Sequence, residues 1–122
     1  MPLEKANLAE KLAKISEHWQ PKIVGQVNDY HVKIAKIEGE FIWHQHDNTD
    51  ELFLVVEGSF TMKLRDGDVE LAEGEIIVIP AGVEHCPVAE EECSILMIEL
   101  AGTLNTGDQV DSTLTIENPE VI

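Results

Sequence analysis

The sequence predicts an all-β domain of antiparallel strands with one short α-helix near its N-terminus. Runs rich in β-branched and aromatic residues follow one another from residue 22 to residue 100, and turn pairs such as Asn28-Asp29 and Asp66-Gly67 separate them. A helix signal stands before Pro21. At 122 residues with 43% hydrophobic side chains, the chain is expected to form a single domain over residues 1–122.

The helix is expected within residues 1–20. Asn7 is a favourable N-cap residue, and Glu10 follows at the third helical position, where its side chain can return to the cap. Apolar residues then recur at helical spacing from Leu8 to Trp19, and Pro21 ends the pattern. The sequence therefore predicts one amphipathic helix whose apolar stripe covers another surface.

The strands begin with a hairpin of residues 22–28 and 30–37, followed by a strand over 41–46. In that strand His44 and His46 are two residues apart, so both imidazoles lie on one face. If residues 47–50 form a hairpin loop, Glu51 lies across from His46 on the same face. A Pro-x-Gly turn before His85 would add a third imidazole. The predicted metal ligands are His44, His46, Glu51 and His85.

The later turns give strand registers and hence an interior face. A turn at Glu57-Gly58 would place Val55 opposite Phe60 and Phe53 opposite Met62, and a turn at Asp66-Gly67 would place Leu64 opposite Val69 and Met62 opposite Leu71. The predicted interior consists of His44, His46, Glu51, Phe53, Val55, Phe60, Met62, Leu64, Val69 and Leu71.

The opposite face of the 51–57 strand is also apolar, with Leu52, Leu54 and Val56. An exposed apolar strand requires a cover, which either the N-terminal helix or a second subunit could supply. We therefore expect a homodimer.

The structure of the C-terminal part of the chain is less strongly predicted by the sequence. Residues 84–88 and 93–98 would form a hairpin around residues 89–92, bringing Cys86 and Cys93 close together, and residues 93–100 give the last strong strand. The tail, residues 101–122, could add an edge strand, cross the mouth of the barrel, or exchange with a partner.

Two spaced motifs carry a family resemblance. Gly39-x4-His44-x-His46-x4-Glu51-x6-Gly58, followed by Gly74-x5-Pro80-x-Gly82-x2-His85, resembles the two motifs of the cupin superfamily, and the small single-domain cupins in particular. The resemblance covers residues 30–100. It implies a jelly-roll barrel, or double-stranded β-helix, over residues 22–100, with a divalent metal inside. Gly39 stands one residue nearer His44 than is usual, and Ala89 replaces a frequent asparagine.

Charge and composition limit the partners. Eight basic residues against twenty-four acidic ones give a net charge of −16, which argues against nucleic acid and anionic membranes as partners. Neither a secretory signal nor an apolar run of about 20 residues is evident. Two cysteines without CxxC spacing form no disulfide scaffold. We expect a cytoplasmic protein that binds a small molecule.

The predicted ligand set leaves one or two positions open on an ion that prefers five or six ligands. Fe, Mn, Ni, Zn and Cu all suit it. Dioxygenase-like and isomerase- or epimerase-like reactions on a small polar molecule, the latter resembling mannose-6-phosphate isomerase, are the two enzymatic alternatives. The third alternative is not enzymatic: a metal-containing pocket that binds a small ligand without turnover. The sequence assigns no catalytic residue, although Tyr30, His31 and Glu99 are candidate bases if the fold brings them in.

Overall fold

The computed structural model describes residues 3–122 and has the predicted all-β architecture. Within those residues it contains seven β-strands and one α-helix. The helix and strands are α1 (Leu8–Leu12), β1 (Lys22–Val27), β2 (Tyr30–Glu40), β3 (Glu51–Glu57), β4 (Ser59–Leu64), β5 (Gly67–Ala72), β6 (Ile76–Ile79) and β7 (His85–Leu100). The sheet order is β1-β2-β7-β3-β6, and β4 pairs with both β5 and β7. In the part of the chain that the structure describes, no helix is long and apolar enough to cross a membrane.

The N-terminal helix begins as predicted but is much shorter. The Oδ1 atom of Asn7 accepts a hydrogen bond from the backbone N–H of Glu10 at 3.0 Å, as an N-cap should. The helix ends at Leu12, so the prediction of a helix reaching Trp19 is wrong. The apolar spacing still marks a buried stripe, because Leu12 and Ile15 pack against Ile34 of β2.

Tertiary contacts explain why the helix does not continue. The backbone N–H of Trp19 donates to the carbonyl of Lys36 on β2, and its indole Nε1–H donates to the carbonyl of Glu38, both at 2.9 Å. Trp19 has a φ of 63°, which is outside the helical region. Contacts with β2 therefore override a weak local preference for helix.

Strand β7 is at the centre of the fold, and its course shows that one predicted hairpin is wrong. Residues 84–98 do not form a hairpin around residues 89–92. Instead β7 runs unbroken for 16 residues, with its first part paired to β4, its later part to β3, and most of its length to β2. Residues 89–92 contain no glycine, proline or asparagine that would favour a tight turn. Cys86 and Cys93 consequently remain separate, buried free thiols.

The β4-β5 hairpin forms, with a register two residues away from the predicted one. Met62 pairs with Val69 and Phe60 with Leu71, because the loop uses Arg65-Asp66 rather than Asp66-Gly67. A shift of two residues keeps each side chain on its face, whereas a shift of one would reverse it. The set of inward residues therefore remains largely correct.

The predicted β3-β4 hairpin does not form. Strand β3 pairs with β6 and β7 instead, so Val55 lies opposite Ile95 rather than Phe60. Gly58 turns the chain at a φ of 93°, and a Cβ there would approach the carbonyl oxygen of Glu92 on β7 to 3.2 Å. Strand β7 thus passes next to the turn, and β3 and β4 pair with different parts of it.

The barrel interior is the predicted apolar core. Phe53, Val55, Phe60, Met62 and Leu71 are all buried in one cluster. Two predicted members differ, since Leu64 is only half-buried and Val69 on the edge strand β5 is 38% exposed.

The outer face of β3 is only partly covered. Val56 packs against the cluster that contains the helix residue Leu12. Leu52 and Leu54 are half-buried, and their partners on β6, Val78 and Ile76, are 50% and 58% exposed. The helix therefore covers one end of this face and leaves an apolar patch at the other.

Candidate metal centre

The segment that carries the first two histidines reaches the site by a different pairing from the one predicted. Residues 41–46 do not form a hairpin with β3. His44 instead forms an isolated antiparallel bridge with His85, and the carbonyl of His46 accepts a hydrogen bond from the N–H of Gly82 at 2.8 Å. The Asp50 carboxylate accepts from the N–H of Ala81 at 2.9 Å. The turn between β6 and β7 is thus the partner that holds this segment.

The four predicted ligands nevertheless lie together. One ligand atom from each of His44, His46, Glu51 and His85 falls within 4.8 Å of all the others. The Oε1 atom of Glu51 is 3.2 Å from Nε2 of His46 and 3.3 Å from Nε2 of His85. All four side chains are buried. The structure therefore places three imidazoles and one carboxylate around one point.

Backbone carbonyls orient two of the imidazoles. The Nδ1 atom of His44 lies 2.9 Å from the carbonyl oxygen of Ile42, and Nδ1 of His85 lies 3.0 Å from that of Val83. A carbonyl can only accept, so Nδ1 carries the hydrogen in each ring. The lone pair of Nε2 is then free to bind a metal, and the hydrogen bond fixes the ring.

The cluster contains polar atoms that the protein itself does not satisfy. The Nε2 atoms of His46 and His85 and the Oε1 atom of Glu51 are buried without a hydrogen-bond partner in the structure. Such atoms are costly to bury, at about 1–3 kcal/mol each. A divalent cation would satisfy all of them at once, so the residues fit a metal ion.

The protonation states also suit metal binding. Burial, reinforced by the neighbouring His85, lowers the pKa of His44 to about 4, so its imidazole is neutral at neutral pH. Burial alone would raise the pKa of Glu51, but the neighbouring Glu99, His46 and His85 side chains hold it well below its usual range. A neutral imidazole and an ionised carboxylate are the forms that coordinate metals.

A buried ion pair lies beside this cluster. The Nζ atom of Lys33 donates to Oε1 of Glu99 at 2.9 Å, and both side chains are only 1% exposed. Glu99 and Glu51 line the same cavity, which is described below. Burial and the negative charge of Glu51 raise the pKa of Glu99 well above its usual range. Glu99 is thus a second carboxyl group beside the cluster, although it is not one of the predicted ligands.

Of the three candidate bases, the structure brings Glu99 to the site. Tyr30 is 44% exposed, and His31, although opposite Glu99 in the β2-β7 register, does not line the cavity described below. Sequence reasoning missed Lys33. The alternation of side chains along the strand could have indicated its burial, because Lys33 lies on the same strand face as the buried Ala35.

A cavity opens on one side of the cluster. His44 and Glu51 contribute to its wall, together with Glu99 and Asn105. The remaining wall is apolar and includes Trp19, Phe41, Phe53, Ile95 and Met97. The arrangement gives a metal ion bound at the cluster an open side that faces a mostly apolar space.

The C-terminal tail crosses the mouth of the barrel, which was one of the three alternatives. The N–H of Asp108 donates to the carbonyl of Gln45, and the N–H of Gln45 donates to the Asp108 carboxylate, both at 3.0 Å. Gly107 lies so close that a Cβ there would clash with the Gln45 carbonyl and meet Cδ2 of His44 at 3.1 Å. The end of the tail then forms a single bridge between Val121 and Ile23 of β1.

Comparison with known proteins gives consistent matches. The model of the cupin domain, Cupin_2, matches residues 30–99. A solved cupin-2 domain protein of Shewanella frigidimarina is 46% identical, with a TM-score of 0.77 over 78% of this chain and 93% of its own. A solved protein of Neisseria meningitidis, NMB1881, is 36% identical, with a TM-score of 0.74 over 80% of this chain and all of its own.

Curated relatives match over a shorter stretch. The uncharacterized protein YdbB of Bacillus subtilis is 36% identical over 63 residues, 51% of this chain and 56% of that protein. A 3-hydroxyanthranilate 3,4-dioxygenase of Jannaschia is 33% identical over 73 residues, 56% of this chain and 41% of that enzyme. The chain spans about half the length of these curated relatives. From the family match and the barrel around the histidine cluster, the chain belongs to the cupin family.

Proposed function

We propose that this cupin binds one divalent metal ion through His44, His46, Glu51 and His85 and uses it to act on a small molecule. The observation that carries the proposal is the convergence of four buried ligand atoms within 4.8 Å, three of them without a hydrogen-bond partner. A structural role alone is less well supported, because structural zinc sites usually have four closed ligands including cysteines. Both cysteines lie outside the cluster.

The open side of the site supports a reactive role. Four protein ligands leave one or two positions on an ion that prefers five or six. When bound, such an ion would polarise a ligand or activate oxygen. His44 and Glu51 line the cavity, so a ligand in the cavity would lie against the site, and the apolar wall would exclude water from it.

Dioxygenase-like chemistry is the reaction class with the most support. The match to 3-hydroxyanthranilate 3,4-dioxygenase covers 56% of this chain, although only 41% of that enzyme. An isomerase acting on a phosphosugar would require a cationic anchor. Within residues 3–122, no lysine or arginine lines the cavity, so that alternative has less support.

The experiment is elemental analysis of untagged protein purified without chelators, followed by anaerobic reconstitution with iron, manganese, nickel, copper and zinc in turn. We expect near-stoichiometric uptake, and oxygen consumption with a panel of phenols when a redox-active ion is bound. Stoichiometric metal without oxygen consumption would favour a non-oxidative or ligand-binding role and overturn the dioxygenase part. A protein that takes up none of these ions would overturn the whole proposal.

A further inference from the structure

One imidazole of the cluster, His46, lacks a hydrogen-bond partner for its outer nitrogen, the ring nitrogen that faces away from the cluster. Carbonyl oxygens of Ile42 and Val83 lie 2.9 and 3.0 Å from Nδ1 of His44 and His85. The His46 side chain is equally buried, at 4% exposure, yet no group of residues 3–122 meets its Nδ1. A histidine that binds a metal through one nitrogen usually donates the other N–H to an acceptor. The acceptor for His46 therefore has to come from elsewhere.

A second pocket adjoins His46 on the side of the C-terminal tail. It lies between residues 46–48 and residues 102–108, and its volume is about 360 Å³, within the range of about 300–1,000 Å³ that is typical of small-molecule sites. His46 lines this pocket and does not line the apolar cavity. Its Nε2 is 3.2 Å from Oε1 of Glu51 and faces the cluster, so Nδ1, across the ring, faces the pocket.

The wall of this pocket is acidic. Asp47 and Asp108 both contribute to it, and no lysine or arginine of the described residues does. Gln45 fixes both carboxylates, because its Nε2 donates to Oδ1 of Asp47 at 2.6 Å and its backbone N–H donates to Oδ1 of Asp108 at 3.0 Å. Neither aspartate belongs to a group of three or more metal-ligand side chains within residues 3–122, so a second metal ion has no set of ligands here. The pocket favours an organic cation and disfavours an anion.

We propose that this pocket binds a small organic cation that carries a hydroxyl or carbonyl oxygen. The oxygen would accept the Nδ1–H of His46, and the positive group would lie beside Asp47 and Asp108. Such a ligand would complete the hydrogen bonding of a metal ligand without touching the ion, and it would thus act as an effector of the metal centre. The inference rests on the proposed metal site, because a metal on Nε2 places the ring hydrogen on Nδ1.

Binding in this pocket should be coupled to metal binding. An outer hydrogen-bond partner fixes the ring and raises its basicity, and loss of such a partner typically weakens metal affinity by about 10- to 100-fold. Water can take the same hydrogen bond when the pocket holds no ligand, so we expect a smaller gain of about three- to tenfold. The coupling is reciprocal, so zinc should tighten ligand binding by the same factor.

Choline is the probe, because it joins a cation to a hydroxyl group. Propyltrimethylammonium has the same shape and charge without the oxygen, and dimethylbutanol has the same shape and oxygen without the charge. Zinc affinity of the full chain is measured by competition with a chelator, with and without each compound at saturation. Choline should raise it, and both analogues should raise it less. In nuclear magnetic resonance spectra, choline should shift the backbone amides of Asn48 and Asp108 and leave the indole N–H of Trp19, which lines the apolar cavity, unchanged.

Charge-only variants test the acidic wall. Asp47→Asn and Asp108→Asn keep the oxygen that Gln45 uses, and each should weaken choline binding by about two- to fivefold, the size expected for one exposed charge pair. Asp66→Asn, in the exposed β4-β5 loop, is the matched control and should bind choline like the wild type.

Two kinds of failure are distinguishable. If the wild type holds zinc but choline leaves its zinc affinity unchanged, or shifts Trp19 rather than Asp108, the effector pocket is refuted and the metal site stands. Equal effects of choline and dimethylbutanol would likewise overturn the inference, because any hydroxyl, water included, would then serve His46. A wild type that holds no zinc would refute the proposed function and this inference with it.

Discussion

His44 and His85 exchange both of their backbone hydrogen bonds, at 3.0 and 2.9 Å, although they lie far apart in the sequence. The bridge brings the two imidazoles to a centroid distance of 4.3 Å. Each ring is then fixed by a backbone carbonyl two residues before it. The cluster is therefore assembled by β7, the 41–46 segment and the first residue of β3, Glu51, and none of these segments could form it alone.

Removing a predicted ligand should release the metal without unfolding the barrel. His46→Ala or Glu51→Ala is expected to lower metal content several-fold, because each removes one coordinating group. The apolar cluster around Phe53 and Phe60 holds the strands independently of the metal. Elemental analysis and far-ultraviolet circular dichroism measure the two effects.

The matched control for that experiment is His31→Ala, a histidine outside the cluster. It should retain the full metal content. Unchanged stoichiometry in both ligand variants would refute the assignment of the site.

The features that could be predicted from the sequence are those set by the alternation of side chains between the two faces of a strand. Phe53, Val55 and Met62 were assigned to the interior correctly, because alternation depends only on the local strand. The ligands converged although the predicted opposition of His46 and Glu51 was wrong. Each of these residues already pointed inward, and only its pairing partner differed.

The features that sequence could not predict depend on the choice between competing partners. Residues 41–46 pair with the turn before β7 rather than with β3, and β7 serves several strands at once. Local turn signals carry no information about such long-range competition. The helix from Leu8 stops early for the same reason, since β2 offers Trp19 better hydrogen bonds than another helical turn would.

A side chain at Gly107 should displace the tail from the barrel mouth. Gly107→Ala places a Cβ onto the Gln45 carbonyl and close to the His44 ring, in addition to the strain of a φ of 59°. We expect faster amide hydrogen exchange at Asp108 and weaker metal binding. Gly102→Ala is the control, because its φ of 87° carries similar strain but its Cβ would meet nothing within 4 Å. Equal exchange in the two variants would contradict a role for the close contact.

The metal-free protein should lose stability as the pH falls from about 6.5 to about 4. His44 has an ordinary pKa of 6.5 when unfolded and about 4 when folded. Between these values the unfolded chain binds the proton and the folded chain does not, so acid favours unfolding. The loss amounts to about 3 kcal/mol. The lowered pKa of Glu51 adds a further loss only below the ordinary carboxyl range.

Urea unfolding across this pH range measures the effect. His44→Gln should flatten the dependence, since the variant lacks the imidazole that takes up this proton on unfolding. His18→Gln is the control, because His18 lies outside the cluster and pairs with Glu92 at 2.7 Å. A pH dependence equally steep in His44→Gln and in the wild type would assign the loss to other groups.

The Lys33–Glu99 pair should be costly to break and nearly neutral to replace. Lys33→Met leaves the buried Glu99 carboxyl without its counter-charge, and we expect a loss of about 3 kcal/mol in the free energy of unfolding. Lys33→Met with Glu99→Leu removes both charges and should recover most of it. Lys36→Met, on the outer face of the same strand, is the control. A double variant as unstable as the single one would show that the pair contributes through packing rather than charge.

The apolar patch on the outer face of β3 and β6 should mediate a homodimer. Leu54 lies opposite Ile76, and Leu52 lies opposite Val78. These two residues of β6, Ile76 and Val78, are 58% and 50% exposed, so the patch is apolar and open to solvent. We expect light scattering to give twice the chain mass for the wild type and the single mass for Leu54→Glu, because the variant would bury a charge in the interface. Val69→Glu, on the edge strand β5, should remain dimeric. A monomeric wild type at micromolar concentration would show that α1 and the strands leave this patch to solvent.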